Sequence, residues 1–457
     1  MRKKILLLSD DLRMTSGVAT MSKEIVIGTC HKYDWVQLGS AINHPDYGKI
    51  FDISEDVRKI SGDSNATLKV IPYNNYGDIV FLRKLIKEEK PDAILHFTDP
   101  HYWQWLYDNE HEVRQQVPIL FYHIWDDLPD PLYNRNYYES CDWIGCISKQ
   151  TFGIVNRVGK RNDVNTFKPL KDWQITYVPH GINENMFKPI SNFTPDLYNL
   201  VHRDKQYDFV LFFNNRNIRR KQPSDVIYSY KLFCDQLPKE KSEKCLLLMH
   251  TSPVDDNGTD LIAVKETLCP NYDVKFINMK VTQETLNEFY NIVDCTINIS
   301  NNEGFGLSTA ESIMSGTPII VNVTGGLQDQ CGFNIDGKEF NEFDYIKHGT
   351  LHEKRKWDML SYGEWAVPVW SVAHNINGSP LTPYIFDDRV NDYDVADSIM
   401  TVYNWGREKR KKNGLKGREW AFRNLSSRVM CDRMIGGIET AINNFEKRKR
   451  FDLYKII

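Results

Sequence analysis

The sequence predicts an α/β protein made of two Rossmann-like domains. Three observations lead there. The chain has 457 residues, about three times the usual domain length. Short, continuous apolar runs bounded by Asp, Gly, Pro or Ser alternate with helix-length segments, the signature of strands buried on both faces and joined by crossover helices. The same rhythm then restarts after Pro179-His180-Gly181-Ile182-Asn183.

Taken in order, residues 5–8 form the first strand, polar Ser9-Asp10-Asp11 close it, and Ser16-Gly17 open a helix over 18–27. Strands follow at 35–38, 93–97, 119–122, 143–147 and 175–178, with a crossover helix at 79–89. The second half repeats the pattern with strands at 209–213, 245–249, 274–277, 295–299 and 318–323 and helices at 223–237 and 282–292. Pro189, Asn192 and Pro195 interrupt the periodicity, which sets an N-terminal domain at 1–195 and a C-terminal domain at 196–436. Residues 327–385 are irregular and longer than an ordinary loop, and they are expected to be an insertion. Helices are expected at 394–405 and 418–445, flanked by basic runs at 407–412 and 447–450 that suit a solvated helix face.

Composition narrows the class. With 41% hydrophobic, 12% aromatic and 26% charged residues, the chain is neither disordered nor fibrous. Lys and Arg number 57 against 61 Asp and Glu, so no overall field draws a polyanion or an anionic membrane. Residues 1–190 alone carry 23 basic and 25 acidic side chains, so the balance holds in each half. Cys30, Cys141, Cys146, Cys234, Cys245, Cys269, Cys295, Cys331 and Cys431 are odd in number and include no C-x-x-C pair, against a disulfide framework or a zinc site. The apolar run after Met1-Arg2-Lys3-Lys4 is too short for a signal core or a membrane span. A cytoplasmic protein with no metal is expected.

The most informative stretch is Ser300-Asn301-Asn302-Glu303-Gly304-Phe305-Gly306-Leu307-Ser308-Thr309-Ala310-Glu311, which runs from the end of a strand into a helix. Free backbone N–H groups and the helix dipole there favour phosphate, and glycines permit close backbone approach. Seven residues separate Glu303 from Glu311, placing one carboxylate on the turn and the other about one helical turn inside. Glycines alone would leave open the alternative that Glu303 caps the helix while Glu311 faces solvent.

EGFGLSTAESIMSGTPII, however, resembles the E-x7-E signature of family 4 retaining glycosyltransferases, which have the GT-B fold. The resemblance implies a nucleotide-diphosphate sugar as donor, with uracil the commonest base in the family, and no other cofactor. It implies that Glu311 binds the ribose, Glu303 the donor sugar, and Gly304, Phe305, Gly306 and Leu307 the diphosphate. Arg216 and Lys221, in the run Asn214 to Lys221, take the spacing of the family's basic pair; such preorganised cations stabilise a departing diphosphate. His123 matches the family's histidine beside the donor sugar. Ser16-Gly17 matches the first-strand loop, with one glycine, Gly17, where many members have two. Residues 279–281 are expected near the base. The family's last helix returns to the first domain, here expected over 437–457.

The stretches SDDLRMTSGVATMSKEIV and PDAILHFTDPHYWQWLYDNE are similar to glycosyltransferases of large tailed phages, some of which decorate hydroxymethylated cytosine. Modified DNA is therefore a candidate acceptor, and the compartment would then be the host cytoplasm. Base flipping would call on the aromatics at 102–107, for which core packing is the competing reading. Surface glycans and lipid-linked saccharides are the other acceptor class. A GT-B sugar-nucleotide 2-epimerase and a silent nucleotide-sugar binder are the rivals outside transfer. The pairs Asp10-Asp11, Asp126-Asp127, Asp255-Asp256 and Asp387-Asp388 could bind Mg²⁺ but read as structural.

Overall fold

The computed structural model describes residues 2–125, 127–161, 168–202, 205–348, 351 and 359–450. Asp126, and the parts of the expected 327–385 insertion and 437–457 helix beyond these limits, lie outside the described residues. Two compact units emerge. Unit 1 comprises Met1–Trp125, Asp130–Gly181 and Ser427–Ile457; unit 2 comprises Asp126–Pro129 and Ile182–Ser426.

Unit 1 contains the strands β1 (Lys3–Asp10), β2 (Tyr33–Ser40), β3 (Phe51–Asp52), β4 (Leu68–Pro72), β5 (Ala93–Phe97), β6 (Ile119–His123), β7 (Trp143–Cys146) and β8 (Ile175–Tyr177). They form one sheet in the order β3-β4-β2-β1-β5-β6-β7-β8. Every pairing is parallel except β3 with β4. The strand sequences are nearly all apolar because helices cover both faces; Ile5, Leu6, Leu7 and Leu8 are all fully buried. Strand order reverses around β1, so the loops after β1 and β5 lie at the switch point where such sheets open a crevice. Helix Gly17–Thr29 follows β1 and is capped by Ser16, whose Oγ accepts from Ala19 N at 3.1 Å and donates to Asp10 Oδ2 at 2.6 Å.

The C-terminal helix of unit 1 spans Ser427–Asn444. It starts earlier than residue 437 because Met430, Met434 and Ile438 already bury a continuous apolar face. Gly437 lies where the Trp143 ring leaves no space; a Cβ there would fall 2.1 Å from Cζ2. Lys3 and Tyr33 bond Glu439 at 2.6 and 3.0 Å, fixing the helix to β1 and β2.

Unit 2 contains β9 (Phe209–Asn214), β10 (Cys245–His250), β11 (Val274–Ile277), β12 (Cys295–Asn298), β13 (Ile319–Asn322), β14 (Asn334–Ile335), β15 (Lys338–Glu339), β16 (Leu360–Ser361), β17 (Ala366–Val369), β18 (Ala373–Asn377) and β19 (Ile385–Arg389). The main sheet is parallel, in the order β11-β10-β9-β12-β13-β17. Two expectations change here. The division between units falls at 181/182 rather than 195, so residues 182–195 belong to unit 2. The segment 327–385 is no simple insertion, since β17 lies within it and completes the main sheet against β13, from Ile319↔Ala366 to Asn322↔Val369. Its proline and the flanking Trp365 and Trp370 concealed a buried strand.

The basic run 407–412 is also not simply a solvated face. Arg410, in helix Gly406–Asn424, is 5% exposed, donates to Asp294 Oδ1 at 2.9 Å and stacks over the Phe209 ring. Among the described residues no helix is long and apolar enough to cross a membrane.

Candidate functional site

Strand β12 delivers the chain into the turn that carries Glu303. The turn is held from the segment that follows β13. Gly326 N donates to Glu303 O at 2.9 Å, and Gln330 Nε2 donates to the carbonyls of Phe305 and Gly306 at 2.6 and 3.0 Å. Contact is so close that a Cβ on Gly326 would lie 2.4 Å from Gly304 O. Gly306 precedes helix Leu307–Met314 with φ of +88°, a left-handed backbone that favours glycine. The result is a rigid turn at a helix N-terminus, where backbone N–H groups and the dipole suit an anion.

Glu303 is paired before any ligand arrives. Lys221 Nζ lies against Glu303 Oε2, the side chains being 8% and 14% exposed, and Arg220 stands 3.8 Å from the same oxygen. Arg220 also donates to Asn302 O at 2.7 Å. Glu303 and Lys221 are thus brought together. Arg216 is not: its side chain is 63% exposed and bonds Asp255 at 3.1 Å.

Glu311 sits in helix Leu307–Met314, where its Oε2 accepts from Tyr290 Oη at 2.8 Å. Burial pushes its carboxyl up to about 7, with the Tyr290 hydrogen bond acting in the opposite direction. Tyr290 in turn accepts from Asn214 Nδ2 at 2.8 Å, and Asn214 Oδ1 faces His250 Nδ1 at 2.8 Å. Asn214 ends β9 and His250 ends β10, so both lie on the carboxyl edge of the sheet. Sequence reasoning gave these three residues no role. The available signal was polar residues terminating apolar strands, which is how an α/β sheet furnishes a ligand crevice.

A second missed feature buttresses the Glu303 turn. In the β18–β19 hairpin, Asp388 N donates to Asn301 O at 3.2 Å, Thr324 Oγ1 donates to Asp388 Oδ2 at 2.6 Å, and Asn302 Nδ2 bonds Phe386 O. The strand that follows residues 327–385 therefore supports the turn that carries Glu303.

Gly17 and His123 belong to unit 1. Gly17 is the first residue of helix Gly17–Thr29, behind the Ser16 cap. His123 ends β6, but its ring is fully buried, shares a hydrogen bond with Tyr138 Oη at 2.9 Å and packs against Phe121. Burial holds its imidazole down to about 3 and therefore neutral. The side chain expected to meet a sugar reaches no solvent in this structure. Of the aromatics at 102–107, Trp103 and Tyr107 are core, whereas Tyr102 is exposed and stacked on Tyr76 at 4.7 Å.

The acidic pairs have local partners. Asp11 is buried against Arg13 at 2.7 Å and His44 at 3.0 Å, Asp255 holds Arg216, and Asp388 shares a hydrogen bond with His374. Among the described residues no group of three or more His, Cys, Asp or Glu is arranged to hold a metal ion.

Residues 202–339, which contain Arg216, Lys221, Glu303 and Glu311, match the family model described as glycosyl transferases group 1. The match marks this region as an enzyme domain of the glycosyltransferase kind. A D-inositol 3-phosphate glycosyltransferase from Thermomonospora curvata is 34% identical over 86 residues, 18% of this chain and 20% of that protein. The alignment thus spans a fifth of that relative's length. Solved structures are similar over nearly the whole chain. Anabaena HepE in complex with UDP and glucose has a TM-score of 0.61 at 12% identity, over 96% of this chain and 100% of its own. A glycosyltransferase from Rickettsia africae gives 0.64 at 13% identity, over 97% and 99%. Sucrose-phosphate synthase from Thermosynechococcus elongatus gives 0.63 at 14% identity, over 95% and 97%. The fold is GT-B.

Proposed function

We propose that this protein is a retaining glycosyltransferase that moves a sugar from a UDP-sugar to a hydroxyl acceptor. The observation that carries the reading is the Glu303–Lys221 pair on a glycine turn, with Glu311 one helical turn further along. Lys221 and the turn's N–H groups would receive the diphosphate, while Glu303, released from Lys221, would accept from donor-sugar hydroxyls. Glu311 would accept from the ribose. Arg216, held by Asp255, would swing to the diphosphate as the donor binds. His123 would shape unit 1 rather than touch the sugar with its ring.

In the transfer step, the bond from the anomeric carbon to the diphosphate oxygen breaks and the acceptor oxygen bonds that carbon on the same face. The acceptor's proton passes to the departing phosphate oxygen, whose growing charge Lys221 and the turn stabilise. Retention is supported by the E-x7-E resemblance.

Hydroxymethylated DNA is the acceptor to test first, on the resemblance of residues 9–26 and 91–110 to phage-encoded enzymes. The test is product analysis with UDP-sugars: UDP release that depends on acceptor, a one-glycosyl mass increment on hydroxymethylated DNA, and an α-linked product from an α-linked donor. A mass increment on an oligosaccharide instead would replace the acceptor. Change in the donor alone would indicate an epimerase, and no turnover of any nucleotide sugar would leave a binding protein.

A further inference from the structure

Glu311 terminates a hydrogen-bonded chain that begins at the loop after β11. His250 Nε2 lies 2.9 Å from Met279 O, His250 Nδ1 lies 2.8 Å from Asn214 Oδ1, Asn214 Nδ2 lies 2.8 Å from Tyr290 Oη, and Tyr290 Oη lies 2.8 Å from Glu311 Oε2. Tyr290 is fully buried, and the His250 ring stacks on Phe289. These links join the strand ends of β9 and β10, helix Gln283–Ile292 and helix Leu307–Met314.

Donor and acceptor inventory restricts how protons can be arranged along it. A carbonyl only accepts, so His250 Nε2 must carry a proton toward Met279 O. If Nδ1 is also protonated, Asn214 accepts through Oδ1 and donates its amide to Tyr290. The tyrosine hydroxyl is then directed at Glu311, which receives it as a carboxylate. If Nδ1 is bare, the Asn214 amide must turn over, donate to the ring and accept from Tyr290. The Tyr290 oxygen can then only accept from Glu311, whose carboxyl must hold the proton. Both arrangements contain the same single mobile proton, an imidazolium with a carboxylate or a neutral ring with a carboxylic acid; raising the pH removes that proton and leaves a carboxylate beside a neutral ring, with one link of the chain unmade.

We propose that His250 is a positioning residue for Glu311, its charge deciding, through Asn214 and Tyr290, whether that carboxyl meets a ligand as a two-oxygen acceptor or as a proton donor. This deepens the donor reading and rests on it for the ligand's identity: a ribose diol suits the carboxylate, and the loop at Met279 is where the base is expected. Site and loop would then report on each other through one polar chain. Other charged groups flank the chain rather than interrupt it. Lys221 and Glu303 lie on the turn before the Glu311 helix, Arg418 bonds Met314 O at its far end, and exposed Lys280 follows Met279.

The test is the titration of Glu311 in the ligand-free protein, followed by ¹³C NMR of carboxyl-labelled glutamate and assigned with Glu311→Gln. His250→Ala should raise the Glu311 midpoint by up to about one pH unit, the tenfold effect of one charge-assisted hydrogen bond. Tyr290→Phe cuts the chain, so His250→Ala added to it should shift the midpoint no further. Asn214→Ala breaks a different link and should reproduce the His250→Ala shift. A midpoint unmoved by His250→Ala, or an additive shift in the Tyr290→Phe background, would overturn the proposal. UDP titration of the same proteins at about pH 6 and about pH 8 reads the donor assignment separately. Failure of the unsubstituted protein to bind UDP removes the ribose reading, while the Glu311 midpoints still decide the role of His250.

Discussion

At the scale of single residues, the account depends on two carboxylates in different surroundings. Glu303 is offset by Lys221, whereas Glu311 is buried beside a phenol and has its carboxyl pushed up to about 7. The folded state raises this group above its unfolded value, so the stability it contributes is present at low pH and lost as pH rises through about 7. On the proposed donor reading, ionisation also readies it to accept from ribose hydroxyls. UDP affinity should therefore increase as pH rises through about 7, and Glu311→Gln should remove that part of the dependence while leaving the phosphate's own titration. Calorimetry on both proteins checks this. Lys221→Ala leaves the largely buried Glu303 with Arg220 alone, 3.8 Å away, and should lower stability by up to about 3 kcal/mol. Glu303→Gln in the same chain should restore part of it in chemical denaturation. The E-x7-E resemblance singled out both glutamates and the family's basic-pair spacing singled out Lys221 with Arg216, because a glycine turn at a strand end alone leaves Glu303 as a cap and Glu311 in solvent. It did not distinguish Lys221 from Arg216, which depends on the loop holding Asp255, nor did it reveal that the His123 ring faces the core.

At the scale of elements, the turn at 303–306 is rigid because it is pressed on by residues 324–330 and by the β18–β19 hairpin. Gly306→Ala places a Cβ at positive φ, costing about 1–2 kcal/mol, and 2.5 Å from Leu327 Cδ2. It should lower the Tm and weaken UDP binding together. Asp388→Ala, which removes the acceptor for Thr324 Oγ1, should weaken UDP binding with a smaller loss of Tm. Equal losses in both variants would contradict the buttress. Arg410→Met should cost about 3 kcal/mol, since it removes the cation from largely buried Asp294, which among the described residues keeps only its bond from Val210 N; thermal denaturation measures it. Strands such as Phe209–Asn214 could be read from continuous apolar runs. Strand β17 could not, because Pro368 and the flanking Trp365 and Trp370 disguise an edge strand whose position is set only by pairing with β13. The hairpin's anchorage was equally illegible, since it depends on contacts between residues far apart in sequence.

At the scale of the molecule, two parallel-sheet units account for the length, and near-neutral charge leaves no broad polyanion surface. The two cations of the proposed donor site each lie beside a carboxylate, Lys221 beside Glu303 and Arg216 beside Asp255. The most direct measurement is the dissociation constant of UDP for the protein and its Glu311→Ala variant by calorimetry. The account predicts that the protein binds UDP and that the variant binds it about tenfold or more weakly, the loss expected for hydrogen bonds to a charged group. Equal affinity in the two proteins would contradict it.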